Sequence, residues 1–144
     1  VEIKMARAVS GEKKRIERAI AHVLKKLNCN YNFIAQDSPS VTSILTVDRS
    51  RRGSQDRNTY LVGYNSALTV EMSTNKLRQA ILHEWLHAAS WDLYDEIENL
   101  IKKIKTKSLR KEIEKRYLDI RENVVYNIER SIGPHVFPYI KYED

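Results

Sequence analysis

His83, Glu84 and His87 form the pattern His-Glu-x-x-His within the stretch Gln79-Ala80-Ile81-Leu82-His83-Glu84-Trp85-Leu86-His87-Ala88-Ala89-Ser90. On a helix, residues four apart stand one above the other on the same face. His83 and His87 could therefore aim two imidazole nitrogens at one metal ion, and imidazole suits Zn²⁺. Glu84 is turned about 100° from His83. It could reach a water at the metal without ligating the metal, which is where a general base belongs. The bare five-residue pattern is common by chance, but its surroundings sharpen it. Apart from the motif residues, every residue from Ala80 to Ala89 is uncharged and most are apolar. Such a helix is buried nearly all round, and two His and a Glu inside it need partners. The competing reading is a solvent-facing row of polar side chains.

A catalytic zinc site takes three protein ligands and keeps one position open. Ser90 and Leu93 stand where the metzincin pattern has a Gly and a third His, so that arrangement is excluded. The third ligand must come from further on. Glu122 lies 35 residues after His87, enough chain for one intervening helix and a return. Glu129, seven residues later, falls on nearly the same helix face. Both border an arc of Leu118, Val125 and Ile132. Glu114 and His135 are outside candidates. Any one of the four, taken alone, reads as an ordinary surface side chain.

The run Leu82 to Ala89, followed by Glu122-Asn123-Val124-Val125, resembles small phage and bacterial metallopeptidases, gluzincin-like zincins. The resemblance covers about residues 68–129; before that, only the order of elements is similar. It implies His83 and His87 as zinc ligands, Glu84 as general base and Glu122 as third ligand, in an enzyme that hydrolyses peptide bonds with a zinc-activated water. It also implies a strand just before the motif helix that edges the cleft. Residues 67–72 occupy that place, so a peptide or protein substrate is expected to add as a strand beside Leu68, Thr69 and Val70. A further donor to the developing oxyanion is expected from Tyr126, His135 or Tyr139. Residues 83–91 also look like SprT-like proteases, which act on proteins attached to DNA and close their site with a third His soon after the motif. No His stands here between His87 and His135.

These residues must be held by helices and a sheet. Residues 10–27 read as an amphipathic helix, with Ile16, Ile20, Val23, Leu24 and Leu27 at helical spacing and Ser10 as N-cap. His22 sits on it as a surface or half-buried residue. Runs 31–35, 41–47, 60–64 and 67–72 read as strands, with Pro39 as a break. Residues 48–58 read as an exposed basic loop. Ser73 or Thr74 caps the motif helix, which runs to about Ser90. Further helices are expected over 93–105 and 109–132, the last stopped by Gly133-Pro134. Its apolar arc of Ile113, Tyr117, Ile120, Val124 and Ile128 is the face expected to pack. The whole predicts one α+β, zincin-like domain over 1–144: an N-terminal helix, a small twisted sheet, the motif helix and two further helices.

Composition agrees with a single domain. The chain has 144 residues, 42% hydrophobic and 31% charged, a balance suited to one soluble core. No apolar run approaches the roughly 20 residues of a membrane span, and the charged N-terminus does not read as a signal peptide. The lone Cys29 can form no internal disulfide and reads as a small packed residue, which points to the cytoplasm. The formal charge of +6 could attract nucleic acid through the loop and the Lys-rich run 102–115, but interleaved acids favour plain solubility. Beside the zinc peptidase, two other expectations stand: a DNA-associated protease or regulator, and a non-catalytic zinc-binding module.

Overall fold

The computed structural model describes residues 2–39, 43–49, 58–139 and 141. In chain order the elements are α1 (Glu2–Lys26), β1 (Asn32–Asp37), β2 (Leu45–Arg49), β3 (Thr59–Tyr64), α2 (Ser66–Thr69), α3 (Thr74–Ala89), α4 (Trp91–Lys102) and α5 (Lys107–Val136). The architecture is α+β, as expected from a block of strand-like runs followed by a block of helical ones.

The sheet has three strands in the order β1-β3-β2. β1 runs parallel to β3, in the register Phe33 to Tyr60, and β2 runs antiparallel, with Val47 opposite Val62. β3 is central, and its Tyr60, Val62 and Tyr64 are fully buried. Gly63 faces Thr46 so closely that a Cβ there would lie 2.8 Å from Thr46 Oγ1. β2 is left as an edge, and α3 packs beside it.

The core forms where α1 and α3 cover the sheet. Ile16, Ala19, Ile20 and Val23 of α1 meet Phe33, Ala35, Leu45, Val62, Leu77, Ile81 and Leu82. The apolar spacing of 10–27 and of the motif helix therefore did predict these buried faces. Ser73 caps α3 as expected, accepting a hydrogen bond from the Lys76 N–H at 3.2 Å. Tyr60 Oη donates to the Ala88 carbonyl at 3.1 Å, tying the end of the motif helix to the central strand. Cys29 is packed, accepting from Trp85 Nε1 at 3.2 Å.

Several boundaries differ from the sequence reading. α1 begins well before Ser10, because the residues ahead of it are good helix formers and no proline interrupts them. No N-cap at Ser10 is therefore needed. The strand expected over 41–47 is β2, with residues 41 and 42 outside the described set; the loop expected over 48–58 is described only at its two ends. The fourth strand, over 67–72, does not form. Asn65 caps the short helix α2, accepting from the Ala67 N–H at 3.1 Å, and Leu68 and Val70 point to solvent. Arg15 of α1 then donates to the Met72 carbonyl at 2.8 Å and to the Thr69 carbonyl. Those contacts override the strand propensity of Thr69-Val70. α4 starts at Trp91, since Ser90 serves as the C-cap of α3 and the N-cap of α4, with no loop between them.

α5 departs most. It runs through Gly133-Pro134 to Val136 and closes with the Phe137 N–H donating to the Gly133 carbonyl at 2.7 Å. Phe137 is 0% exposed in the main core, and that anchor outweighs the hydrogen bond a proline removes. The later part of the expected packing arc is turned outward: Ile120 is 60% exposed and Val124 and Ile128 lie in solvent, whereas Ile113 and Tyr117 are half-buried, Tyr117 against Tyr94 of α4. The face of α5 that packs carries Val125, Glu129 and Gly133.

Candidate metal centre

α3 and α5 lie side by side, and their facing turns bring four titratable side chains together. His83 Nε2 and His87 Nε2 are 3.2 Å apart, as the four-residue spacing on one helix requires. From α5, Glu122 places Oε1 3.0 Å from His87 Nε2 and Oε2 3.4 Å from His83 Nε2. These three residues are the cluster, among the described residues, close enough to hold a metal ion. A tetrahedral site with metal–ligand bonds of about 2.0–2.1 Å has edges of about 3.3 Å. The separations seen are of that order, though Glu122 meets the two rings with different oxygens, and two imidazoles with a carboxylate are a donor set that suits several divalent metals.

Glu129 is placed differently. Its carboxylate is 4% exposed and its Oε2 lies 2.9 Å from His83 Nδ1, the far nitrogen of the ring. A carboxylate there can accept from Nδ1–H, and in the neutral ring that tautomer turns the Nε2 lone pair to the cluster. This is the arrangement that orients a ligating imidazole and raises its basicity. The bond to Glu129 holds the His83 pKa above the ordinary histidine value, against the desolvation that lowers it. His87 goes the other way, lowered chiefly by burial. Its Nδ1 lies 3.5 Å from Arg121 Nη2, a cation that Glu98 and the ring of Tyr94 hold in place.

Glu84 sits beside the cluster and outside it. Burial pushes its carboxyl up to about 7, with Glu122 adding to the rise; His83, the Val47 backbone and Arg121 pull it back. That value is suited to taking and giving a proton near neutral pH.

Two hollows meet at His83, Glu84 and Leu45. One, of about 700 Å³, is lined by Met72, Ala80, Tyr126 and Tyr139. The other, of about 440 Å³, is lined by Thr46, Val47, Leu118 and Arg121. The strand that borders the cleft is therefore β2. Leu68, Thr69 and Val70, expected as the substrate edge, belong to α2 and its following turn and line neither hollow.

Of the three expected oxyanion donors, Tyr126 and Tyr139 line the larger hollow. His135 does not, lying roughly 20 Å along α5 from Glu122. Glu114 is likewise remote and lines a separate hollow between α4 and α5. The sequence reading missed Arg121 and the β2 edge. Arg121 had one signal, its place next to Glu122. Nothing in the 45–49 run marks it as the edge beside the site. Comparison of the chain with protein-family models, with curated proteins and with solved structures finds no match.

Proposed function

We propose that this protein is a zinc-dependent peptidase. The observation that carries the reading is the convergence of His83, His87 and Glu122, with Glu84 beside them and a cleft open on both sides. His83 and His87 would hold the ion through Nε2 and Glu122 through its carboxylate, with the His87 proton moved to Nδ1 and the Arg121 contact given up, while Glu129 fixes the His83 ring from behind. Bound zinc supplies a Lewis acid that polarises a carbonyl and makes nearby water easier to deprotonate.

The chain's own groups supply the rest. Glu84, with its carboxyl raised to about 7, accepts a proton from the attacking water and returns it to the leaving amine. Tyr126 donates to the developing oxyanion. Its hydroxyl accepts from Arg130 Nη1 at 3.0 Å, which leaves its own proton free to point into the cleft. Tyr139 suits that role less, because its hydroxyl is engaged by His22 Nε2. An extended peptide lies along the open edge of β2. The Val47 N–H already faces Glu84, and alternate residues of an antiparallel edge strand turn their backbone groups the same way. Leu45 thus offers its N–H and carbonyl, and Val47 its carbonyl, to a substrate strand.

The test is Glu84→Gln in protein loaded with zinc, assayed on an unfolded protein substrate. The variant is expected to keep its zinc and lose hydrolysis. Retained zinc with undiminished hydrolysis would overturn the role of Glu84, and absence of hydrolysis in the zinc-loaded parent would favour a metal-binding module without catalysis.

A further inference from the structure

The chain's densest run of positive charge is the turn between α4 and α5. Residues 102–116 contain eight Lys or Arg and two acids, a balance of +6, equal to that of the whole chain. The other residues carry seventeen cations and seventeen anions. The stretch is the end of α4, the turn and the first turns of α5. Lys102, Lys103, Lys105, Lys107, Lys111 and Lys115 are all exposed. Among the described residues none of these lysines has an ion-pair partner; the pair there is Arg116 with Glu112 at 3.5 Å. Charge kept only for solubility is ordinarily spread and interleaved with acids, whereas 102–111 carries six cations and no acid.

The placement is also unfavourable to the fold. The first turn of α5 has no acidic residue, and its N-cap Thr106 makes no side-chain hydrogen bond. Cations crowded at the positive end of a helix destabilise it. A sequence that holds them there gains nothing internally. Lys107, Lys111 and Lys115 repeat every fourth residue, so they form one straight row about 12 Å long on the helix face.

From these observations we infer that the α4–α5 hairpin tip is a docking surface for the phosphate backbone of a nucleic acid duplex. A straight row of unpaired cations meets a line of phosphates charge by charge. A membrane surface would want a broad apolar face beside the charge, and within 102–116 the exposed large apolar residue is Leu109 alone. The row begins roughly 10 Å from Glu122 along α5 and extends away from it. A duplex held there would lie beside the cleft without blocking it.

The experiment is fluorescence anisotropy of a labelled 20-base-pair DNA duplex with the full chain, at 50 and 200 mM KCl. With six phosphate contacts the affinity is expected to fall about a thousandfold between those salts. The triple variant Lys107→Glu, Lys111→Glu, Lys115→Glu removes three contacts and is expected to lower the log–log salt slope by roughly three. The variant Lys102→Gln, Lys103→Gln, Lys105→Gln on the other side of the turn must also weaken binding. Reversing Lys14, Arg18 and Lys25 on α1, the same change in net charge, should leave most of it. Equal loss in that control, salt-independent affinity, parent-like binding by both hairpin variants, or a preference for phosphatidylserine vesicles over the duplex would each overturn the inference. Zinc content and hydrolysis do not enter the readout, so this proposal and the peptidase reading fail independently.

Discussion

Replacing Glu129 by Gln separates a group that holds the metal from one that holds a ligand. The carboxylate is 4% exposed and meets His83 Nδ1 at 2.9 Å. Gln keeps the shape and an accepting oxygen but removes the charge. Partners of this kind change metal affinity by about 10–100-fold, which is about 1.4–2.7 kcal/mol. The fold should tolerate the change, because an ionised carboxylate out of water is itself costly and its loss offsets the weakened hydrogen bond. The effect should depend on pH. Glu129 holds the His83 pKa above its ordinary value, so at low pH a proton competes with the metal more strongly in the parent than in the variant. The affinity deficit of Glu129→Gln is thus largest near pH 8 and shrinks near pH 6. Titration of metal-free protein with zinc against a chromophoric chelator at both values measures it. Parent-like affinity at pH 8 would refute the action of Glu129 through His83. A collapse of binding, with Glu122→Gln nearly silent, would make Glu129 the ligand.

Glu122→Ala should weaken zinc far more than Glu129→Gln, leaving two imidazoles as protein donors, and the same chelator titration compares them. Tyr126→Phe should lower kcat by about 10²-fold or more with zinc content unchanged, and an equal drop in Tyr139→Phe would argue against the choice of Tyr126. Without metal, the protein should lose stability as pH rises from 6.5 to 8. Glu84 in the fold stays protonated up to about 7 whereas the unfolded chain has released that proton; raised His83 acts in the same direction, and lowered His87 acts against them only at the bottom of the window, where the unfolded chain still binds part of that proton. Glu84 alone contributes about 1 kcal/mol over that window, read as a falling Tm that saturating zinc abolishes. Phe137→Ala should cost about 3–5 kcal/mol by emptying a filled core site, visible as a lower urea midpoint.

The motif helix was legible because a single local rule, the four-residue repeat, sets both its chemistry and its burial. Ser73, Leu77, Ile81 and Leu82 fall where that rule puts them. α5 was not legible in the same way. Apolar periodicity pointed to Ile120, Val124 and Ile128, which face solvent, since the face turned to α3 is reserved for Glu122, Glu129 and Arg121. A helix that packs through polar groups hides its orientation from any hydrophobic pattern. Residues 67–72 were misread because their β-branched residues look like a strand; the local Asn65 cap went unread, and the reach of Arg15 from α1 is a tertiary contact. Pro134 failed as a stop signal for the same reason: Phe137, three residues on, is fixed by the core.

The polar seam between α3 and α5 also makes the molecule thermodynamically uneven. α5 is pinned at its far end by Phe137 and joined to α3 through Ser90 and α4, but along the seam its buried contribution is Val125, Glu129 and Gly133. Such a seam gains little from excluding water and holds carboxylates that repel one another. An ion shared by His83, His87 and Glu122 would act there as a rivet, closing a loop of more than thirty residues and neutralising the charge that pries it open. Amide hydrogens of α4 and the first half of α5 should therefore exchange as one unit, well ahead of those in α1 and β3, and zinc should slow that unit most.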